Sequence, residues 1–257
     1  MGLELKDISK QFGNSKKDTV SHVSLDVRDG EFISIIGPSG CGKSTILNMI
    51  AGLEKVTGGE IRLDGNLITD PGSDRVVMFQ ESALFPWLSV IDNVKFGLKI
   101  AGIPKEEQEE RAMHYLNMVH LGKFKKYHPH ELSGGMKQRV ALARALTMDS
   151  KVLLMDEPFA SLDKQTRNFL RDEIQNIWME TRKTVVFITH SVEEAVFLSD
   201  RVALMSTTPG TIQTVMTVDL PRPRKIDSDE FVHIRKELLN QLRKEVDRVA
   251  QEEYDRN

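Results

Sequence analysis

The sequence predicts an α/β fold in which a mainly parallel sheet carries a small antiparallel β subdomain and an inserted helical subdomain. Leu3 and Leu5, and later Ile61 and Leu63, alternate with polar residues, as strands of a half-buried antiparallel sheet do. Between about 90 and 150 the apolar spacing becomes helical. Four other segments are almost continuously apolar, which is typical of central parallel strands covered on both faces. These segments are 32–36, 152–155, 185–188 and 202–205.

Length and composition describe a soluble globular protein. The chain has 257 residues, of which 40% are hydrophobic and 28% charged, so it can bury the core of one large domain with a subdomain. A net charge of -3 gives no indication of a nucleic-acid partner. No apolar run exceeds four residues, so we expect neither a membrane span nor a signal peptide. The single cysteine, Cys41, excludes an internal disulfide and fits the cytosol.

A glycine-rich loop follows the first of the apolar segments. It fits the pattern G-x-x-x-x-G-K-[ST], and the residues after it continue as a helix. Such a loop directs backbone N–H groups and a helix N-terminus at a phosphate, although an ordinary glycine-rich turn is the alternative. Lys43 would then reach the β- and γ-phosphates, and Ser44 would offer its hydroxyl to Mg²⁺. The predicted nucleotide-binding residues of this segment are Gly37, Pro38, Ser39, Gly40, Cys41, Gly42, Lys43, Ser44 and Thr45.

Two acids end a second apolar segment. Asp156 and Glu157 directly follow Val152–Met155. In proteins with a phosphate loop, an Asp at the end of such a strand holds Mg²⁺. An adjacent acid near the γ-phosphate can activate the attacking water. The alternative is a solvated strand end with no role in catalysis.

A second phosphate-binding element is predicted near residue 133. Ser133 followed by Gly134 and Gly135 resembles a capped helix start, and the residues beyond continue as a helix. One nucleotide does not need two such elements from one chain. The second element therefore suggests that each chain closes on a nucleotide held by another copy.

In combination, these motifs resemble the ATP-binding-cassette (ABC) ATPases over essentially the whole chain. The phosphate loop, 132–139, the acid-ended strand, 160–163 and 189–190 occur in that family's order and spacing. The resemblance implies ATP and Mg²⁺ as cofactors and a dimer of two copies that sandwiches ATP. Phe12 resembles the aromatic that stacks on adenine, and Gln80 the glutamine that contacts Mg²⁺ and the water. Glu157 resembles the catalytic base, His190 the switch histidine at the γ-phosphate, and Asp163 the residue that organises the opposite site.

For two of these residues a structural role remains open. Phe12 is also compatible with a core position at a strand end, and His190, taken alone, with a structural residue. Domain boundaries follow from the same resemblance: an ATPase domain at 1–225, with its helical subdomain at about 85–150. We expect an amphipathic helix at 226–257 that packs on the core, without a separate regulatory domain.

Further segments resemble importers of nitrate, taurine and other sulfonates: 79–90, 92–94, 191–201 and 220–224. The implied partners are transmembrane permease subunits and, indirectly, a solute-binding protein. The implied location is the cytoplasmic face of the plasma membrane. Ala83–Val94, with Phe85 and Trp87, is the candidate groove for a permease helix, and ordinary core is its alternative.

Rival functions are a soluble ABC ATPase of DNA repair or translation, an importer subunit for another solute, a kinase, and a non-catalytic scaffold. The last would be expected to lack Glu157 or His190.

Overall fold

A computed structural model of the chain describes residues 2–13, 18–207 and 209–255, which form two compact units. The first unit takes in residues 1–72 and 182–257, and the second takes in residues 73–181. Within the described residues the strands are β1 (Gly2–Lys10), β2 (Val20–Arg28), β3 (Phe32–Ile36), β4 (Gly58–Leu63), β5 (Asn66–Leu67), β6 (Arg75–Met78), β7 (Val152–Asp156), β8 (Thr184–Ile188), β9 (Arg201–Met205) and β10 (Ile212–Thr217). The α-helices there are α1 (Lys43–Ala51), α2 (Val90–Ile100), α3 (Lys105–Met118), α4 (Gly134–Thr147), α5 (Lys164–Thr181), α6 (Val192–Leu198) and α7 (Asp229–Asp255).

The first unit contains the predicted antiparallel layer. Its strands lie in the order β2-β1-β4-β5, and Leu5 of β1 is paired with Leu25 on one side and Ile61 on the other. These three side chains are buried, whereas the residues that alternate with them along β2 are exposed. The period-two pattern in the sequence therefore marks one buried face, as predicted.

Parallel strands form the core of the same unit. β3 lies between β8 and β9, parallel to both, and β10 is antiparallel to β9. All five residues of β3 and of β8 are buried. Their nearly continuous apolar sequence follows from coverage on both faces, which confirms the α/β fold class.

Helices dominate the second unit. There α2 packs on α3 and α4, and the strands β6 and β7 pair in parallel. Two short 3-10 turns, Gly122–Phe124 and Pro129–Glu131, connect α3 to α4. This unit extends beyond the helical subdomain expected at 85–150, because it also includes β6, β7 and α5.

The C-terminal helix α7 is amphipathic, as its spacing predicts. Phe231 and Leu238 are fully buried, and the Phe231 ring lies edge-on to Phe197 of α6 at 6.3 Å between ring centroids. Val246, further along the same stripe, is 45% exposed. The first half of α7 therefore buries Phe231 and Leu238, while Val246 remains at the surface. None of the described helices is both long and apolar enough to cross a bilayer.

Candidate nucleotide-binding and catalytic site

The loop between β3 and α1 has the backbone geometry of an anion-binding loop. Gly40 and Gly42 have φ angles of 78° and 92°, a backbone region that residues other than glycine rarely adopt. α1 begins at Lys43 with Gly42 as its N-cap. The first N–H groups of a helix have no intrahelical acceptor, so they are available to an anion. A Cβ on Gly40 would meet nothing within 4 Å, and Ser39 beside it is exposed, so this side of the loop is open.

Two other glycines hold the loop close to its surroundings. A Cβ on Gly37 would lie 2.7 Å from the carbonyl oxygen of Met205 and 2.9 Å from Cys41 Sγ. A Cβ on Gly42 would lie 2.6 Å from Cγ2 of Val20. The loop can therefore approach β2 and β9 only with glycine at these positions.

Lys43 points back over the loop that precedes it. Its ammonium lies 3.0 Å from the carbonyl oxygens of both Gly37 and Pro38, and the residue is buried. The loop motif predicts that Lys43 contacts the phosphates, but it does not predict these two carbonyl contacts. Ser44 and Thr45 follow on the first turn of α1, Ser44 exposed and Thr45 half-buried. Phosphate binding would exchange neutral carbonyl acceptors of Lys43 for charged oxygens, which make stronger hydrogen bonds.

Cys41 is a buried thiol. Its side chain has no exposed surface, and Lys43 Nζ lies 3.8 Å from its Sγ. Burial raises the pKa of Cys41, and the charge of Lys43 opposes that shift only in part. A helix N-terminus tends to lower a thiol pKa and thereby favour reaction. At Cys41 desolvation is the larger effect, so the pKa of the thiol is raised.

Phe12 and His190 lie in the same unit as the loop. Phe12 follows β1 and is 44% exposed, so it is not a core residue. His190 is exposed and follows β8. Because β3 and β8 are parallel, with Ile35 paired to Ile188, Gly37 and His190 each lie two residues beyond this pair, at the same edge of the sheet. The structure therefore brings His190 to the edge that carries the phosphate loop.

The second unit repeats this arrangement with Gln80 and the acid pair. β6 and β7 are parallel, with Met78 paired to Met155. Gln80 and Asp156 therefore leave their strands at the same edge, Gln80 exposed and Asp156 half-buried. Glu157 has a φ of 45°, a left-handed conformation that costs a non-glycine residue about 1–3 kcal/mol. Such strain is concentrated at functional sites, where the surrounding structure holds it.

Contacts that no sequence motif announces hold the Gln80 segment. The side-chain amide of Gln138, on α4, donates a 2.6 Å hydrogen bond to the carbonyl of Gln80. The Arg144 guanidinium, one turn and a half further along α4, donates to the carbonyls of Ser82 and Ala83 at 3.0 and 2.9 Å. These partners are about 60 positions apart in the chain, so no local pattern reveals them. They tie the segment after β6 to the helix that begins at Ser133.

The N-terminus of α4 is capped as predicted. Ser133 is the N-cap, and its hydroxyl oxygen accepts a 3.3 Å hydrogen bond from the Met136 N–H. A Cβ on Gly134 would meet nothing within 4 Å, whereas one on Gly135 would lie 2.2 Å from Cγ2 of Thr166. The two glycines thus differ: Gly134 leaves the helix end open, and Gly135 permits close packing on α5. The sequence does not distinguish these two functions.

Asp163 caps the neighbouring helix α5. Its Oδ1 accepts hydrogen bonds from the N–H groups of Gln165 and Thr166, both at 3.0 Å. The bonds from Thr166 hold the pKa of Asp163 below its usual value. The carboxylate is exposed and ionised. It lies at the start of α5, whose Thr166 packs against Gly135.

The predicted metal-binding side chains are chemically suited to Mg²⁺. Ser44 supplies a hydroxyl at the start of α1, Asp156 a carboxylate at the end of β7, and Gln80 an amide after β6. Each of these side chains provides an oxygen ligand of the kind that Mg²⁺ prefers.

Comparison with known proteins agrees with the site chemistry. The ABC transporter family profile matches residues 20–160. The chain is 48% identical to an uncharacterized ABC transporter ATP-binding protein of Methanocaldococcus jannaschii, over 95% of this chain and 92% of that protein. It is 44% identical to the nitrate import ATP-binding protein NrtD of Synechocystis, over 92% and 90%. Identity to the aliphatic sulfonates import ATP-binding protein SsuB of Bacillus cereus is 41%, over 94% and 96%.

Solved structures resemble this one. A dimeric bacterial ABC transporter cassette superposes with a TM-score of 0.75 at 32% identity, covering 85% of this chain and all of that one. A dimeric cassette in a post-hydrolysis state with bound ADP and phosphate superposes with a TM-score of 0.73, also at 32% identity and over the same shares.

Proposed function

Because the chain belongs to the ABC transporter family and is the ATP-hydrolysing subunit of an importer, we propose that it powers uptake of a small anion through a separate permease. Nitrate, taurine and other sulfonates are the candidate solutes. The support is the names of two relatives that align over nearly their whole length, one a nitrate and one an aliphatic sulfonate import ATP-binding protein. The segments 79–90 and 220–224 point in the same direction.

The proposed catalytic arrangement is a dimer of two copies that encloses two ATP molecules. The observation that carries it is the open N-terminus of α4, where Ser133 is an exposed N-cap and Gly134 leaves space around the first turn. The phosphate loop of the same chain already provides one anion-binding helix start at Gly42 and Lys43. The second element therefore closes on the nucleotide bound by the partner copy. Asp163, exposed and ionised at the start of α5, faces the partner's site in this arrangement.

In this proposed site Phe12 stacks on adenine, as the resemblance to the family implies. Lys43 binds the β- and γ-phosphates, and Ser44, Gln80 and Asp156 would hold Mg²⁺. When bound there, Mg²⁺ would neutralise charge on the phosphate oxygens. Glu157 accepts a proton from the attacking water, and His190 donates a hydrogen bond to the γ-phosphate. Closing of the dimer assembles these groups, so a conformational step gates hydrolysis.

The proposed permease contact is the segment around Trp87, which is 71% exposed. The Phe85 ring contacts the rings of both Trp87 and Phe96, at centroid distances of 5.5 and 4.3 Å. An exposed aromatic side chain that packs on other aromatic rings is suited to docking of a helix from a membrane partner. The chain would then lie at the cytoplasmic face of the membrane, with a solute-binding protein delivering solute from the other side. ATP shifts the equilibrium between open and closed dimers, which the permease follows.

Uptake measurements in the host test the proposed solute class. Deleting the gene should abolish uptake of labelled nitrate, taurine or an alkanesulfonate, and the wild-type gene should restore it. A Glu157→Gln gene should fail to restore uptake although its product accumulates. Unchanged uptake of all these anions after deletion would overturn the assignment of the solute, while leaving the ATPase activity of the purified chain to be measured separately.

A further inference from the structure

Lys10 makes three contacts with its ammonium group. Its Nζ donates a 2.7 Å hydrogen bond to the carbonyl of Lys55 and forms a 2.9 Å ion pair with Oε2 of Glu54. The same atom lies over the Phe12 ring, 4.8 Å from the ring centroid. Lys10 itself is buried, so these contacts replace water around the charge. A cation that is largely removed from water makes a stronger cation–π contact than an exposed one.

Glu54 and Lys55 lie in the segment that directly follows the phosphate-loop helix α1. The N–H groups of Leu53 and Glu54 both donate to the carbonyl of Asn48 in α1, at 2.9 and 3.2 Å. Lys10 therefore connects Phe12 to the far end of the helix whose first turn follows the phosphate loop.

The backbone next to Lys10 is held by the same segment. The N–H of Thr57 donates to the carbonyl of Ser9 at 2.8 Å, and the N–H of Gln11 donates to Oγ1 of Thr57 at 3.2 Å. The strand end that carries Phe12 is thus fixed both by backbone bonds and by the ammonium of Lys10.

We propose that Lys10 is a positioning residue for the base of the nucleotide. Its ammonium covers one face of the Phe12 ring and fixes the ring orientation, so the opposite face stacks on adenine. Glu54 and Lys55 hold the ammonium, which sets the spacing between the base-stacking ring and the phosphate loop. This inference rests on the proposed stacking of adenine on Phe12.

Steady-state ATPase kinetics of Lys10 variants test this role. Lys10→Met keeps most of the side-chain volume and removes the charge. We expect its KM for ATP to rise by about threefold to tenfold while kcat changes by less than about twofold, because the lost contact orders the bound base. Lys10→Arg retains the cation and should restore a KM near that of the wild type. Glu54→Gln weakens the ion pair that holds the Lys10 ammonium but leaves the ammonium in place, so it should also raise KM, by a smaller factor.

Two controls separate positioning from damage to the fold. In a Phe12→Ala background, Lys10→Met should raise KM no further. Tripolyphosphate, which has no base, should inhibit wild type and Lys10→Met with equal inhibition constants. An unchanged KM in both Lys10→Met and Glu54→Gln would overturn the proposal. It would also be overturned if Lys10→Met raised KM as much in the Phe12→Ala background as in the wild type. A loss of tripolyphosphate binding in Lys10→Met as large as its loss of ATP binding would contradict it as well. A wild-type chain without ATPase activity would instead contradict the proposed function.

Discussion

Glu157, the proposed base, has an unusual backbone position. It directly follows β7, in which every residue except the half-buried Asp156 is buried, and its own backbone is left-handed. The turn is closed by a 3.1 Å hydrogen bond from the Ala160 N–H to the Glu157 carbonyl. A glycine would adopt this backbone at lower cost. The presence of a glutamate therefore indicates that the carboxylate, rather than the backbone conformation, is what the position provides.

Replacing Glu157 by Gln should abolish ATP turnover while ATP binding is retained. The amide preserves the shape of the side chain but cannot accept the proton of the attacking water. We expect kcat to fall by about a hundredfold or more, as loss of a general base does. Because bound ATP then persists, the variant should accumulate as a dimer in ATP, measurable by gel filtration or light scattering. Turnover at the wild-type rate would remove Glu157 as the base.

Cys41 should react slowly with thiol reagents at neutral pH. The thiolate is the reactive species, and burial raises the pKa of this thiol. Labelling should therefore accelerate only above the pH at which an exposed cysteine ionises. The same shift affects stability. The folded state keeps its proton when the unfolded thiol has already ionised, so the contribution of Cys41 to stability falls as pH rises above the ordinary thiol pKa. Mass spectrometry should find stoichiometric labelling after unfolding, and rapid labelling of the native chain at pH 7 would contradict the buried position.

Local residues were predictable from sequence, and long-range partners were not. The phosphate loop and the Ser133 cap were predictable because glycine conformations and capping depend on adjacent residues. The hydrogen bond from Gln138 to the Gln80 carbonyl joins residues 58 positions apart, so it depends on tertiary structure. No spacing in the sequence encodes it.

At the scale of elements, nearly continuous apolar runs identified the parallel strands because each lies between neighbours and under helices. The segment after β6 was harder to assign from sequence, because its aromatic residues are compatible with either a core or a surface position. The structure resolves this: Trp87 is exposed, whereas Asn93 of α2 is fully buried. Oδ1 of Asn93 accepts from the Phe85 N–H at 2.8 Å, and its Nδ2 lies 3.0 Å from the Ser89 carbonyl and 3.1 Å from that of Leu88. Asn93 therefore shapes the turn that presents Trp87.

Trp87→Ala and Asn93→Ala should affect different properties, the first coupling to transport and the second stability. Trp87→Ala should change the free energy of unfolding by less than about 0.5 kcal/mol and leave the isolated subunit's ATP affinity unchanged, because the side chain is exposed. In the assembled transporter it should weaken the coupling of hydrolysis to uptake. Asn93→Ala should lower the unfolding free energy by about 2–4 kcal/mol, since it leaves buried backbone groups without a partner. Denaturant unfolding and transport assays compare the two, and full coupling in Trp87→Ala would exclude this segment as the permease contact.

At the scale of the whole molecule, we propose that the active site is shared between two copies. Within the described residues, the first unit has a candidate anion-binding helix start at Gly42, and the second unit has a candidate at Ser133. Sequence order alone suggested two such elements, but it did not distinguish Gly134, which leaves the helix end open, from Gly135, which packs on Thr166. That distinction required the positions of α4 and α5.

The ATPase activity of a mixture of Lys43→Ala and Ser133→Arg chains tests this claim most directly. Either variant alone should be inactive, the first through loss of phosphate binding and the second because a bulky cation blocks the partner's site. A mixed dimer contains one site with both defects and one site with neither. Random pairing in an equal mixture makes half of the dimers mixed, so we expect up to about a quarter of the wild-type rate. If Ser133→Arg alone hydrolyses saturating ATP at the wild-type rate, the site is not shared and the account is contradicted.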